Sequence, residues 1–152
     1  MTSSAILRWA VCLAPSIAWL SACAVSDESA AFRRTESELQ VVREQGTIEC
    51  GSRDACTQTW HRTQAFVEQH SPTPIDLMTD DEIETRMPRE FRLAYFWAVR
   101  QVGVDGTTTI RLKGMCRGMY DSNGGPGWIY MSCARQLREV QLEFRREVGG
   151  NR

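Results

Sequence analysis

Four cysteines, Cys50, Cys56, Cys116 and Cys133, constrain the fold of this chain more than any other feature. Once oxidised, they decide which segments must lie side by side, and four cysteines permit three pairings. Pairing Cys50 with Cys56 and Cys116 with Cys133 closes two local loops and is favoured on that ground. Gly51, Ser52, Arg53, Asp54 and Ala55 between the first pair are turn-like, so that bridge would clamp a strand end to a helix start. The competing chemistry is metal ligation by four thiolates. Intervals of five and sixteen intervening residues lack the tight C-x2-C knuckles of zinc sites. The expectation is therefore two disulfides, each stabilising by about 2–4 kcal/mol, and no metal or other cofactor.

Disulfides need an oxidising compartment, and the N-terminus bears on that. Trp9 to Leu20 is a mostly apolar stretch of 12 residues that contains Pro15, and Arg8 is the one charge in the first 22 residues. A helix crossing the hydrocarbon core needs roughly 20 apolar residues. A basic start with a short apolar centre predicts a cleaved signal peptide instead. Leu20, Ser21, Ala22 and Cys23 follow directly. This run resembles the lipobox of bacterial lipoproteins: an aliphatic residue, two small ones, then cysteine.

That resemblance covers the first 23 or so residues. It implies that the Cys23 sulfur receives a diacylglyceryl group, that a peptidase cuts between Ala22 and Cys23, and that the new amino group is acylated. Each buried methylene contributes about 0.8 kcal/mol, so two or three chains anchor far more firmly than one. Residue 24 is alanine and not aspartate, which by resemblance to enterobacterial sorting implies the periplasmic face of the outer membrane. The plainer alternative is a secretory signal cut at an A-x-A-like site, with Cys23 joining a disulfide. On the lipobox reading Cys12 leaves with the signal, Cys23 carries lipid, and the four cysteines above remain.

The expected organisation is a signal peptide over 1–22, the lipidated cysteine and a tether over 23–45, and one globular domain over 46–150. The whole chain is 42% hydrophobic and 24% charged, with a net charge of −1, which describes an ordinary folded domain. Without Arg8 the charge falls to −2, so no positive excess points to nucleic acid.

Residues 24–34 are small, polar and charged, as a flexible tether should be. Thr35 and Glu38 could form a capping box opening a short helix that Gly46 ends. The same segment, with Leu39, Val41 and Val42, could instead extend a strand leading to Ile48. Ser52 or Asp54 can cap a helix running to about His70, where Ser71 and Pro72 stop it. Cys56, Trp60, Thr63 and Val67, widened by Phe66, make its core-facing stripe.

Three strand-like stretches follow. They are Ile75 to Arg86, interrupted by acidic Asp80, Asp81 and Glu82 as a turn or bulge; Phe91 to Val102; and Thr107 to Met115. Gly103, Asp105 and Gly106 read as a hairpin turn. A loop with Gly124, Gly125, Pro126 and Gly127 precedes a final helix that places Cys133, Leu137, Val140 and Phe144 on one face. The expected fold is α+β: a small antiparallel sheet of three to four strands with two helices packed on one face and two disulfides. The Cys pair, Trp60, the helix end Phe66-Val67-Glu68-Gln69-His70-Ser71 and the hairpin resemble small uncharacterised lipoproteins of Gram-negative bacteria. They also resemble the small α+β modules of outer-membrane assembly lipoproteins. Both resemblances cover about residues 48–148 and carry no known catalytic residue.

The residues offer little chemistry. His61 and His70 are nine residues apart on one helix, about 900° and so half a turn out of phase. They cannot share a metal. His61 should be solvent-exposed, and His70 should favour the helix C-terminus. Asp80, Asp81, Glu82 and Glu84 lack the alternating oxygens and glycine of a calcium loop and read as an acidic turn. The glycine loop lacks a phosphate-binding lysine, and no G-x-S-x-G elbow occurs. Arg86, Arg89, Arg92 and Arg100 cluster near Tyr95, Phe96 and Trp97. Arg86, Arg89, Arg92, Tyr95 and Trp97 are the candidate interaction residues, set against ordinary sheet burial with solvated arginines. The expected function is a non-enzymatic envelope module, working through its sheet face or glycine loop on an envelope protein, lipid headgroups or glycan. The alternatives are a small periplasmic enzyme with a cleft near His61 or the acidic turn, and a structural or stress lipoprotein without a ligand.

Overall fold

The computed structural model describes residues 18–150, with side chains described from residue 27. Residues 1–17 of the expected signal peptide lie outside the described residues, and for residues 18–26, Cys23 among them, only the backbone is described. Among the described residues there are three helices and five strands. Helix α1 runs Ala18–Gln45, α2 Arg53–His70 and α3 Tyr130–Gly149. Strands β1 to β5 are Ile48–Cys50, Ile75–Met78, Glu82–Thr85, Ala94–Val102 and Thr108–Cys116. The compact unit begins at Thr35; the described residues before it belong to the N-terminal part of α1. No helix among the described residues is long and apolar enough to cross a membrane.

The strands form one antiparallel sheet in the order β1-β5-β4-β3-β2. The fold is therefore α+β as the sequence implies, but with five strands and not three to four, and three helices and not two. The extra strands have simple origins. Of the turn or bulge expected at Asp80, Asp81 and Glu82, the turn is what forms: the Thr79 hydroxyl accepts from the backbone N–H groups of Asp81 and Glu82, which splits the stretch into the hairpin of β2 and β3. The three residues of β1 pair with the edge of β5, Ile48 opposite Ile110. This is the strand whose end the Cys50 bridge was expected to clamp.

The segment expected to be a flexible tether is also corrected. Residues 27–45 are helical throughout: of the two readings from Thr35 onward the helix ended by Gly46 holds and the strand does not, but the helix starts earlier, so Thr35 lies inside it and opens no capping box. Alanine, glutamate, arginine and glutamine dominate here, no glycine or proline intervenes, and all four are strong helix formers. Polarity in this stretch signals a solvated helix and not an unstructured chain. Gly46 ends it, its N–H donating to the Val42 carbonyl at 2.9 Å.

α2 and α3 cover one face of the sheet. Even-numbered residues of β4 and β5 point toward them: Ala94, Phe96, Ala98, Ile110, Leu112 and Cys116 are all buried. A Cβ on Gly114 would meet the Leu137 side chain of α3 at 2.8 Å, so this glycine sets how closely α3 approaches. The Ser52 hydroxyl caps α2 by accepting from the Ala55 N–H. Trp60 of α2 is buried and donates its indole N–H to the Thr79 carbonyl at 3.2 Å, tying the helix to the β2–β3 turn. On α3 the buried face is Cys133, Ala134, Leu137, Gln141, Phe144 and Val148. The expected Val140 is only half-buried, and Gln141 takes the core position because its amide donates to the Leu112 carbonyl at 2.7 Å.

Both disulfides are formed as the local-loop argument favours. Cys50–Cys56 joins the end of β1 to the first turn of α2, and Cys116–Cys133 joins the end of β5 to the start of α3. The second bridge closes off the glycine-rich segment 117–132.

Candidate interaction surface

The five candidate residues do not come together. Arg86 is held by the Asp76 carboxylate in a bidentate pair, with contacts of 2.7 and 3.1 Å, across the β2–β3 hairpin. The same hydrogen bonding and charge hold the Asp76 carboxyl below its usual range. Tyr95 and Trp97 lie on the sheet face opposite the helices, their rings 4.7 Å apart. Tyr95 is only 5% exposed and donates to the Met115 sulfur at 3.3 Å, so it is packed away. Trp97 is half-buried and donates its indole N–H to Glu84 at 3.0 Å. Arg89 is exposed in the β3–β4 loop.

Arg92 belongs to a different group, at the end of the sheet where the β3–β4 loop meets the segment after β5. Here the ladder continues past both strands. Arg92 N–H donates to the Arg117 carbonyl and Arg117 N–H to the Leu93 carbonyl, both at 3.3 Å. The Phe91 and Trp128 rings meet at 5.8 Å. Arg92 places its guanidinium 5.2 Å from the Trp128 ring centre, and Arg117 lies 5.5 Å from that of Phe91. Trp128 is nevertheless 69% exposed and Phe91 52%. Met87 of the same loop is exposed as well. Two large aromatics, touching each other and two cations yet left in water, make a patch that a monomer gains little by displaying.

The backbone around it is strongly determined. Arg92 has φ 75°, a left-handed conformation that costs a non-glycine residue on the order of 1–2 kcal/mol. Such outliers persist where the surroundings over-determine them, often at functional sites. Gly118 has φ 82°, and a Cβ there would stand 2.5 Å from the Phe91 ring. Gly127 N–H donates to the Met119 carbonyl at 2.8 Å. The Asp121 carboxylate accepts the N–H groups of Asn123 and Gly125, each at 2.8 Å. The glycine segment is thus a folded support for Trp128 whose N–H groups are already engaged, consistent with a turn and not a phosphate cradle.

Beside it, Glu36 of α1 accepts from the hydroxyls of Tyr120 at 2.8 Å and Tyr130 at 2.7 Å. Burial, reinforced by the Glu36 charge, pushes the Tyr120 phenol up to about 12 and raises Tyr130 further. These bonds fasten the C-terminal half of α1 to the segment that carries Trp128.

The other residues singled out by the sequence lie apart from this patch. His61 is exposed, its Nδ1 3.0 Å from Gln64 Oε1. Asp81 accepts the Thr79 hydroxyl at 2.9 Å as part of the acidic turn. An open depression of about 470 Å³ is lined by Glu49, Cys50, Gly51, Asp105, Gly106 and Thr107, a set without histidine. Phe91, Arg117 and Trp128 were outside the sequence expectation. The available signal was the placement of Trp128 directly after the Gly124–Gly127 run and of Arg117 directly after Cys116, since a tight turn and a crosslink both fix what adjoins them.

Comparison of this chain with protein families, with curated proteins and with solved structures finds no match.

Proposed function

We propose that this chain is a lipid-anchored, non-enzymatic binding module of the Gram-negative envelope, held on the periplasmic face of the outer membrane through Cys23. It engages an envelope partner through the patch of Phe91, Arg92, Arg117 and Trp128. The anchor half of the reading rests on the lipobox-like Leu20-Ser21-Ala22-Cys23 run, and the two disulfides suit an oxidising space. The binding half rests on one observation: a Phe–Trp pair flanked by guanidinium groups is exposed on a backbone strained at Arg92 and held in place by Gly118, Gly127 and Asp121. Aromatic and arginine side chains are those that dominate binding energy at protein interfaces. Burying each exposed aromatic contributes about 1.5–3 kcal/mol before the costs of association. A support that is already ordered keeps those costs low.

Photo-crosslinking tests this directly. A benzoylphenylalanine in place of Trp128, in the intact lipoprotein in its own envelope, should give a discrete adduct, and the same reporter in place of His61 should give none. Arg92→Gly preserves the left-handed backbone and removes the guanidinium. Losing about 1 kcal/mol at a binding surface should lower the adduct yield roughly fivefold. Equal adducts from positions 61 and 128, or none from 128, would refute the reading.

A further inference from the structure

At the end of the molecule where α2 terminates, His70 meets Glu143 and Glu147 of α3. Its imidazole stacks on Phe66 with ring centres 4.0 Å apart, and Phe66 packs edge-on against Phe144 at 5.3 Å. The ring plane is therefore set by an apolar floor. Nδ1 lies 3.6 Å from a Glu143 oxygen and Nε2 lies 3.8 Å from a Glu147 oxygen. Both separations are longer than a hydrogen bond. Nε2 is buried without a hydrogen-bond partner, although the side chain as a whole is 18% exposed. A buried polar atom without a partner asks for an explanation, and a bound ion is one of few available.

One ligand atom from each of the three residues lies within 4.8 Å of the other two. Nitrogen and oxygen ligands held about 2.0–2.2 Å from one zinc ion stand roughly 3.3 Å apart at tetrahedral angles. Zinc takes one imidazole nitrogen, here Nε2, so Glu147 needs a small rotation and Glu143 must swing across from the Nδ1 side of the ring; both are partly exposed and free to do so. Glu143 and Glu147 sit one helical turn apart, where like charges repel. Arg146 offsets this at 3.2 and 3.8 Å, but its side chain is 64% exposed and can withdraw into water. A divalent cation would supply the missing partner for Nε2 and neutralise both carboxylates at once. One imidazole with two carboxylates favours zinc over calcium or magnesium, which prefer all-oxygen shells.

We propose that His70, Glu143 and Glu147 form a three-ligand zinc site, completed by water, that clasps the C-terminal end of α2 to α3. The disulfides hold both helices at their N-terminal ends, and this site holds the opposite end of α2. The sequence expectation of no metal followed from setting His61 against His70; the ligands come from a second helix 73 residues or more away along the chain.

Titrating zinc chloride into the chelator-treated full-length protein by calorimetry, with thermal unfolding alongside, tests the site. One zinc should bind per chain and raise the unfolding midpoint, and magnesium chloride should do neither. His70→Gln should weaken binding at least tenfold, Glu147→Gln should do the same, and His61→Gln should leave it unchanged. Circular dichroism identifies the variants that remain folded, and Glu147→Gln keeps the test decisive if His70→Gln does not. No saturable binding up to millimolar zinc, equal binding of magnesium, or full binding by a folded His70→Gln or Glu147→Gln variant would overturn the proposal.

Discussion

Gly127 shows most plainly how single residues shape the patch. A Cβ at that position would collide with the Gly118 carbonyl oxygen and stand 3.0 Å from that of Met119. Both are backbone atoms, so the loop itself must move. Gly127→Ala should therefore cost at least about 2 kcal/mol, the scale of forced backbone strain. Gly51→Ala, where nothing lies within 4 Å, should change stability by less than about 0.5 kcal/mol. Urea denaturation of the two variants measures the contrast, and equal stabilities would mean that the loop yields more easily than its contacts indicate. At this scale the sequence was informative about residue types but not about their grouping. Arginines and aromatics near residue 95 were visible as a cluster along the chain. Alternation along β4 then sent Tyr95 and Trp97 to one face and Phe96 to the other, and the β3–β4 loop carried Arg92 to the end of the sheet. Arg86 was lost to Asp76, ten residues earlier, because the β2–β3 hairpin brings them together.

The elements were more legible than the site, wherever a period was long enough to read. α2 and α3 follow their apolar stripes, and both disulfides follow from the preference for short loops. β1 was legible only as a strand end at Cys50, and 75–86 only as one interrupted stretch, because strands of three and four residues are too short for alternation to fix their bounds. The helix ending at Gly46 was legible as one of two readings, but its extension upstream of Thr35 was masked because those residues are polar, and the strength of helix formers outweighs polarity there. The crosslinks make a quantitative prediction. Loops of 17 and 6 residues correspond to about 3 and about 2 kcal/mol of restricted unfolded-chain freedom. Replacing Cys116 and Cys133 together by serine should lower unfolding free energy more than the same change at Cys50 and Cys56; the reverse order would show that native-state strain dominates. The fastening of α1 makes a prediction in pH. Tyr120 keeps its proton to about 12 in the folded protein, against about 10 in an unfolded chain. The folded state then binds more protons between those values, so this contribution is complete below pH 10 and is lost as pH rises toward 12. Burial raises Tyr95 as well, so none of the three tyrosines should titrate near 10 while the fold persists. Ultraviolet titration should show phenolate appearing together with loss of ellipticity. In a Tyr95→Phe variant, which leaves only the two phenols on Glu36, a phenol titrating near 10 with the fold intact would break the account of those contacts.

At the scale of the whole molecule, the proposed anchor at Cys23 and the surface presented by the folded unit would work together. The anchor is a statement about covalent chemistry at Cys23, and no property of the sheet or the helices substitutes for it. The exposed Phe91–Trp128 pair has a different meaning on a lipid-tethered protein than on a free one. The proposed tether would confine the patch to a thin layer beside the membrane and raise its effective concentration for partners in that layer, so that modest affinity would suffice. Fatty-acid labelling of cells making the intact chain therefore tests the central claim most directly. Labelled palmitate should enter the wild-type protein and be absent from Cys23→Ser, which should also accumulate as an uncut, larger precursor. Absence of label from the wild type, or a Cys23→Ser protein that is cut and fractionates with the membrane as before, would contradict it.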